Sequence, residues 1–363
     1  HSDADVTAAI KEQVDRIAFA HTGFFTSEPA EDLANLLVEH APEGIDRVYF
    51  VSGGSEAVEA AIKLARKVTG RRNVVSFTNG FHGMTMGALA LTGNAGKRAG
   101  AGNSCGGLCG VTHLPYDGAF GDGVDTLEQI RMMVNNPSSG VDKPAAFVFE
   151  PIQGEGGIRP ASDEFMHGLR ALADENDLML IFDEVQCGVA RTGKLYAYEH
   201  YGIEPDIMAT AKGIGGGFPL GACLATEKAA RGMGFGTHGS TYGGNPLAMA
   251  AGTAVMDAVA NDEFLAEVTE KGERLRSRLE QFIGNYPDLF ELVRGKGLML
   301  GLKMKVESRP FFVHLRDNHQ LLTVAAGDNT LRVLPPLVAG DAEFDEFFDK
   351  LSAGAASYEI PED

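Results

Sequence analysis

Short apolar runs alternate with amphipathic stretches through the first two thirds of this chain. Strand-length apolar runs lie at residues 47–51, 73–77, 145–150, 178–184 and 206–211. Between these runs, apolar residues recur with helical spacing from Ser55, from Asp125 and from Ser162. Strands that alternate with helices predict an α/β fold with a mostly parallel central sheet flanked by helices.

The pattern changes near residue 261. A long amphipathic helix is predicted there, followed by short apolar runs at 297–305 and 330–338 and a last helix near 341–354. This order predicts a smaller α+β domain. We therefore expect an N-terminal piece, a large domain and a small C-terminal domain, at residues 1–25, 26–260 and 261–363.

Residues 93–123 are rich in glycine and show no periodicity, which predicts a long loop. Cys105 and Cys109 lie in this loop without a second Cys or His pair at a distance that fits a metal site. We expect these two and the remaining cysteines, Cys187 and Cys223, to be structural thiols, and we expect no bound metal. Free thiols, with no visible secretory signal, favour a cytoplasmic location.

Size and charge argue against two classes of partner. None of the apolar runs in these 363 residues approaches the roughly 18 residues that span a bilayer. The formal charge is −19, from 50 acidic residues against 31 lysines and arginines. A field of this sign repels phosphate backbones and anionic lipids, so we expect neither a nucleic-acid nor a membrane partner.

Three polar features follow predicted strands. Gly54 and Ser55 open a helix after a strand, an arrangement that forms either an anion site or a plain turn. Asp183 ends another strand, where open α/β sheets bind ligands, although the same residue could simply cap the next turn. Lys212 follows a third strand and precedes a glycine-rich loop, as a solvated charge or as a functional amine.

The three features together suit pyridoxal 5′-phosphate. This cofactor needs a helix N-terminus for its phosphate, an acid against its ring nitrogen and a lysine that binds its aldehyde. A dinucleotide is the rival ligand, because Gly213 and Gly215 begin a G-x-G-x-x-G pattern. Phe218 occupies the position of the third glycine, so that fingerprint fails.

At this point the chain resembles the class III aminotransferases, a branch of the fold-type I enzymes that use pyridoxal phosphate. The resemblance rests on seven motifs in the family's order: SGGSEAVEAAIKLAR, FHGMTMGALALTGN, FVFEPIQGEGG, LIFDEVQCGVARTGKL, PDIMATAKGIGGGFPLGA, HGSTYGGNPLA and LLTVAAGDNTLRVLPPL. Residues 178–336 look most like acetylornithine aminotransferases, whereas residues 76–94 look more like diaminobutyrate transaminases.

The resemblance implies a role for each matching residue. Lys212 would bind the cofactor aldehyde and carry protons, and Asp183 would pair with the ring nitrogen. Other cofactor contacts are implied for Gln186 at the ring hydroxyl, Phe81 on the ring face, and Gly54 and Ser55 at the phosphate. The family therefore implies a catalytic pair, Lys212 and Asp183, within a larger cofactor site.

Substrate and subunit contacts are implied in the same way. Arg332 resembles the arginine that binds a substrate carboxylate, and Glu155 the acid that holds this arginine when a dibasic substrate is bound. Thr241, with Ser240 beside it, would reach the cofactor phosphate of a neighbouring subunit, which implies a homodimer with a shared active site. Met84 stands where the family's FHGRT motif has an arginine.

The function expected from this resemblance is transfer of an amino group from N-acetylornithine to 2-oxoglutarate, giving glutamate and a semialdehyde. The alternatives are a diaminobutyrate or general ω-amino acid transaminase, and a catalytically silent member of the family. The silent alternative arises because the family has an N-terminal segment before the position that His1 matches.

Overall fold

The computed structural model of the protein describes residues 2–101, 110–121 and 123–360. Its α-helices are α1 (Ala4–Arg16), α2 (Glu28–Glu39), α3 (Gly54–Thr69), α4 (Met86–Leu91), α5 (Ala95–Gly100), α6 (Thr126–Asn135), α7 (Asp163–Asn176), α8 (Glu227–Ala230), α9 (Pro246–Val259), α10 (Asp262–Gly284), α11 (Ser308–His319) and α12 (Asp341–Ser357). Its strands are β1 (Ile45–Val51), β2 (Val74–Phe77), β3 (Val111–Leu114), β4 (Ala146–Phe149), β5 (Ile152–Gln153), β6 (Arg159–Pro160), β7 (Met179–Asp183), β8 (Ile207–Ala211), β9 (Gly221–Thr226), β10 (Phe290–Lys296), β11 (Met299–Met304), β12 (Val324–Ala326) and β13 (Thr330–Val333).

The large sheet has the strand order β1-β9-β8-β7-β4-β2-β3. The strands from β8 to β3 pair in parallel, whereas β9 pairs antiparallel with both β1 and β8. The predicted mostly parallel sheet is therefore confirmed. The antiparallel strand β9 was not predicted, because its sequence, GACLAT, is short and rich in small residues.

Apolar faces of the helices cover this sheet. Helix α3 buries a stripe of small residues, among them Ala57, Ala61 and Ala65, in one core with strands β4, β7 and β9. Because alanine has only a methyl side chain, the helix axis lies close to the sheet. Helix α3 ends at Gly70, which has a left-handed φ of 68° that favours glycine.

A separate antiparallel sheet lies in the C-terminal part, in the order β10-β11-β13-β12. Helices α10, α11 and α12 share a core with this sheet through apolar residues that include Leu275, Phe311 and Leu351. This arrangement agrees with the predicted smaller α+β unit. The boundaries at residues 25 and 260 stay predictions.

The prediction of an uninterrupted loop at residues 93–123 was wrong. Helix α5 and strand β3 lie in this range, and β3 pairs with β2 from Val74↔Val111 to Phe77↔Leu114. Both elements are too short to show periodicity, and backbone pairing with a neighbouring strand stabilises β3. Cys105 and Cys109 lie outside the described residues, whereas Cys187 and Cys223 are buried free thiols.

The described part of the chain contains neither a long apolar helix nor a cluster of metal-ligand side chains. None of its helices is both long and apolar enough to cross a membrane. Among the same residues, no group of three or more His, Cys, Asp or Glu side chains is arranged to hold a metal ion.

Candidate active site

A cleft of about 390 Å³ lies where the carboxyl ends of β7 and β8 meet the start of α3. Parallel strands end at the same edge of a sheet, so residues that are far apart in sequence meet there. Four short segments supply most of the lining, at residues 52–55, 81–83, 183–186 and 217–220.

The start of α3 presents free backbone N–H groups to this cleft. Gly53 is the N-cap of the helix and has no side chain to occupy the free N–H groups of the first turn. A Cβ atom built on Gly54 would lie 2.9 Å from Cγ1 of Val185, so only glycine fits there without displacing Val185. The Ser55 hydroxyl accepts a hydrogen bond from the Met84 backbone N–H at 3.3 Å. The free N–H groups and the helix dipole fit a phosphate.

Asp183 lies at the base of the cleft, with only 4% of its surface exposed. Its Oδ2 lies 2.8 Å from Nδ1 of His82, and its Oδ1 accepts a hydrogen bond from the Val185 backbone N–H at 3.1 Å. Burial acts to lower the pKa of His82, but the hydrogen bond and charge of Asp183 outweigh it and raise the pKa overall. The imidazole therefore donates to Asp183 from Nδ1.

Glu150 is a second buried carboxyl group in the lining. Its oxygens accept hydrogen bonds from the backbone N–H of Phe81 at 3.0 Å and of Gly154 at 2.9 Å. Burial raises the pKa of Glu150; the charge of Asp183 also raises it, whereas that of His82 lowers it. Glu150 thus connects the segment that carries Phe81 to the turn that precedes Glu155.

Lys212 follows β8 directly and lines the cleft. Its φ of 51° is left-handed, a conformation that costs a residue other than glycine about 1–3 kcal/mol. Its ammonium group forms no hydrogen bond or ion pair within residues 2–101, 110–121 and 123–360. The surrounding fold thus holds a strained backbone that presents an unpaired amine to the cleft.

A cluster of charged residues lies next to Gln186. Arg332, on β13, donates from Nη1 to Gln186 Oε1 at 3.2 Å, and its Nη2 lies 2.7 Å from Oε1 of Glu155. Lys97 Nζ lies 3.3 Å from the other oxygen of Glu155 and 4.4 Å from the ring centroid of Phe81. Burial alone would raise the pKa of Glu155, but Arg332 and Lys97 hold it below its usual value.

Comparison with known proteins agrees with this geometry. The sequence profile of the family Aminotransferase class-III matches residues 1–354. The chain belongs to the class-III aminotransferases. The acetylornithine aminotransferase of Mesorhizobium japonicum is 43% identical to it, over 98% of this chain and 85% of that protein. That of Rhodobacter capsulatus is 44% identical, over 99% and 88%.

A solved structure shares the fold as well. The amine transaminase of an uncultivated Pseudomonas species, in a PLP-bound form, superposes with a TM-score of 0.88 and is 31% identical. The alignment covers 98% of this aminotransferase and 87% of that chain. The predicted fold class and the predicted enzyme class are therefore both confirmed.

The cleft of this aminotransferase contains most of the residues that the sequence singled out for the cofactor. Gly54, Ser55, Phe81, Asp183, Gln186 and Lys212 all line it. The start of a helix, a buried carboxylate and the amine of Lys212 thus face one space of suitable size. These are the groups that the phosphate, ring nitrogen and aldehyde of pyridoxal phosphate require.

Other residues predicted for the site lie outside the lining of the cleft. Thr241 and Ser240 belong to the segment before α9, where Ser240 Oγ accepts a hydrogen bond from the Gly243 backbone N–H at 3.1 Å. Met84 adjoins the cleft through Gly83, but its side chain is 56% exposed. The predicted contact of Thr241 with a neighbouring subunit requires a second chain, so it stays a prediction.

Sequence reasoning missed three residues of this aminotransferase. His82 lies in the FHG motif next to Phe81, Glu150 ends the run that contains β4, and Lys97 falls in the stretch taken for a loop. The adjacency of His82 to Phe81 was the only local signal. The partners of all three residues lie on other segments, so their roles depend on contacts that a linear pattern does not reveal.

Proposed function

We propose that this aminotransferase transfers the terminal amino group of N-acetylornithine to 2-oxoglutarate. The named relatives support this donor, since they match almost the whole chain. The structural observation that carries the proposal is Arg332, a partly buried arginine that bonds to Gln186 of the cleft and whose Nε has no partner among the described residues. A guanidinium group with a spare donor suits a carboxylate, such as that of 2-oxoglutarate.

Pyridoxal 5′-phosphate is the cofactor of this chain. When bound, it supplies an electron sink for the carbanion that forms as a substrate carbon loses its proton. The N-terminus of α3 and Ser55 would bind its phosphate, and Phe81 would lie against its ring.

Asp183 and Lys212 have different roles toward protons in this site. Asp183, held by His82, would keep a proton on the ring nitrogen, because a buried carboxylate stabilises a positive charge there. Lys212 would hold the cofactor through its aldehyde. The free amine of Lys212 would move a proton between the substrate carbon and the cofactor carbon when an amino donor is bound.

Arg332 can be either paired with Glu155 or free to bind a substrate carboxylate. With Glu155 paired, the charge of Arg332 is neutralised, which suits a substrate with a neutral or cationic group at this end of the cleft. With Glu155 released, Arg332 binds a carboxylate. One cleft then serves both the donor and the acceptor of the two half-reactions, which predicts ping-pong kinetics.

The proposal includes a homodimer with a shared active site and a cytoplasmic location. Thr241 is exposed, and the nearby surface carries exposed aromatic side chains, among them Phe24 and Phe235. Large exposed apolar side chains are typical of protein interfaces. The buried free thiols of Cys187 and Cys223 agree with a reducing compartment.

The proposal is tested by initial rates of glutamate formation from 2-oxoglutarate with a panel of donors. The panel contains N-acetylornithine, ornithine, 2,4-diaminobutyrate and 4-aminobutyrate. We expect the highest kcat/KM for N-acetylornithine. A higher kcat/KM for 2,4-diaminobutyrate would show that this compound, and not N-acetylornithine, is the preferred donor. Cofactor-loaded protein that converts none of the four donors would refute the proposed aminotransferase function.

A further inference from the structure

Lys97 places a second cation on Glu155, opposite Arg332. Each carboxylate oxygen of Glu155 has its own cationic partner. Oε1 lies 2.7 Å from Nη2 of Arg332, and Oε2 lies 3.3 Å from Nζ of Lys97. The ammonium group of Lys97 also lies 4.4 Å from the ring centroid of Phe81, which holds it on the cleft side of α5. One carboxylate therefore lies between two cations.

We infer that Lys97 holds Glu155 when Arg332 binds a substrate carboxylate, and so determines how well the enzyme accepts its 2-oxo acid. This inference rests on the proposed function, because it assumes that Arg332 alternates between Glu155 and substrate. Lys97 is thus a positioning residue that acts through Glu155 and Arg332.

The charges of the three residues support this role. Together they carry a net charge of +1, which the carboxylate of a bound dicarboxylate would neutralise. The side chain of Glu155 is 28% exposed and that of Arg332 only 10% exposed, so water solvates these charges incompletely. Without Lys97, the carboxylate of Glu155 would be partly buried and unpaired whenever Arg332 binds the substrate. An unpaired, partly buried charge raises the free energy of the substrate complex.

Arg332 is also arranged for this exchange. Its Nη1 stays bonded to Gln186 Oε1, while its buried Nε has no partner among the residues that the structure describes. Arg332 can therefore turn Nη2 away from Glu155 while Nη1 keeps its hydrogen bond to Gln186. Lys97, at 39% side-chain exposure, has room to follow the carboxylate as it moves.

The test uses the holoenzyme with Lys97→Met and glutarate, a dicarboxylate that cannot react. We expect the Kd of glutarate, measured by titration calorimetry, to rise about tenfold, as for loss of a charged hydrogen-bonding partner. The KM for 2-oxoglutarate should rise by the same factor while the KM for N-acetylornithine, which leaves Arg332 paired with Glu155, stays constant. Lys97→Arg should bind glutarate like wild type.

Two further variants separate this role from a merely structural one. Lys296→Met removes another lysine that lies over an aromatic ring, 5.6 Å from the ring centroid of Tyr201, and should leave glutarate binding unchanged. Adding Glu155→Gln to Lys97→Met should restore glutarate affinity, because an amide left by Arg332 carries no charge. Loss of packing at residue 97 would not be rescued in this way.

Three outcomes would overturn the inference: an unchanged glutarate Kd in Lys97→Met, a loss that Glu155→Gln does not reverse, and a wild-type enzyme that binds no glutarate. The last would mean that Arg332 is not free to take a carboxylate. Failure of the proposed function is seen separately, as wild-type holoenzyme that forms no glutamate from any donor although it binds glutarate.

Discussion

Nδ1 of His82 lies 2.8 Å from Oδ2 of Asp183, and both side chains are buried. A carboxylate can only accept, so the imidazole donates from Nδ1. His82 therefore fixes the orientation of the carboxylate that is proposed to face the cofactor ring nitrogen.

We expect His82→Leu to lower kcat by about tenfold or more, since Oδ2 of Asp183 loses a charge-assisted hydrogen bond worth about 1.5–3 kcal/mol. His82→Asn is the matched control, because its side-chain amide N–H lies close to the position of Nδ1 and preserves the bond. Steady-state kinetics of the two variants decide the matter. Equal kcat values in both would show that the hydrogen bond has no role in turnover.

The unpaired amine of Lys212 is expected to bind the cofactor covalently. Borohydride reduction of the holoenzyme followed by peptide mapping should place the cofactor on Lys212. Lys212→Ala should fold and retain cofactor through the phosphate and ring contacts, but lose turnover. Lys228→Ala, which alters an exposed lysine paired with Asp177, should behave like wild type. A cofactor found on any other lysine would refute the assignment.

Glu184 is expected to make stability depend on pH. Its oxygens accept hydrogen bonds from the backbone N–H of Tyr198 at 2.8 Å and of Ala197 at 2.9 Å, and burial raises its pKa from 4.5 to about 7. Above pH 4.5 the unfolded chain releases this proton, whereas the folded chain keeps it until about pH 7. Stability therefore falls as pH rises through this window and then levels off.

The comparison with Glu184→Gln isolates this effect. The free energy of unfolding of wild type, minus that of the variant, should fall by about 2–3 kcal/mol between pH 5 and pH 8. Urea unfolding at several pH values measures it. Glu128→Gln, at an exposed carboxylate, is the control. A flat difference for Glu184→Gln would mean that the buried carboxyl group does not titrate in this range.

Met84 is expected to influence the choice of donor. The thioether carries no charge, whereas an arginine at this exposed position beside the cleft would add a carboxylate partner. We expect Met84→Arg to raise kcat/KM for N-acetylornithine relative to 2,4-diaminobutyrate by about tenfold, and by a hundredfold at most. Met132→Arg, at an equally exposed methionine on α6, is the control. A ratio that is unchanged or that moves toward diaminobutyrate contradicts the prediction.

Thr241 is expected to serve the active site of a neighbouring subunit. Thr241→Val should keep the dimer in sedimentation experiments and weaken cofactor binding by about tenfold, through loss of one hydrogen bond to a charged phosphate. Mixing this variant with Lys212→Ala provides a sharper test. A mixed dimer contains one site that has both Lys212 and a partner's Thr241, so cofactor affinity and activity should recover. A fully active monomer, or no recovery on mixing, would exclude the shared site.

Local patterns in the sequence were enough to predict the class of fold and much of the cleft. Strand-length apolar runs that alternate with amphipathic helices predicted a mostly parallel sheet, and the structure confirms it. Gly54, Asp183 and Lys212 each follow a strand, and the carboxyl ends of β7 and β8 lie together in such a sheet. Their convergence on one cleft followed from that rule, because each residue is positioned by its own strand.

The ion pairs and hydrogen bonds inside the cleft depended on the tertiary structure. His82 meets Asp183 across 101 positions of the chain, and Arg332 meets Gln186 across 146. Lys97 reaches Glu155 from a helix too short to show periodicity. Local propensity and periodicity describe only neighbours along the chain. Packing and charge bring side chains from distant segments together once the sheet has formed. The hydrogen bonds and ion pairs of Asp183 and Glu155 are made with such distant partners.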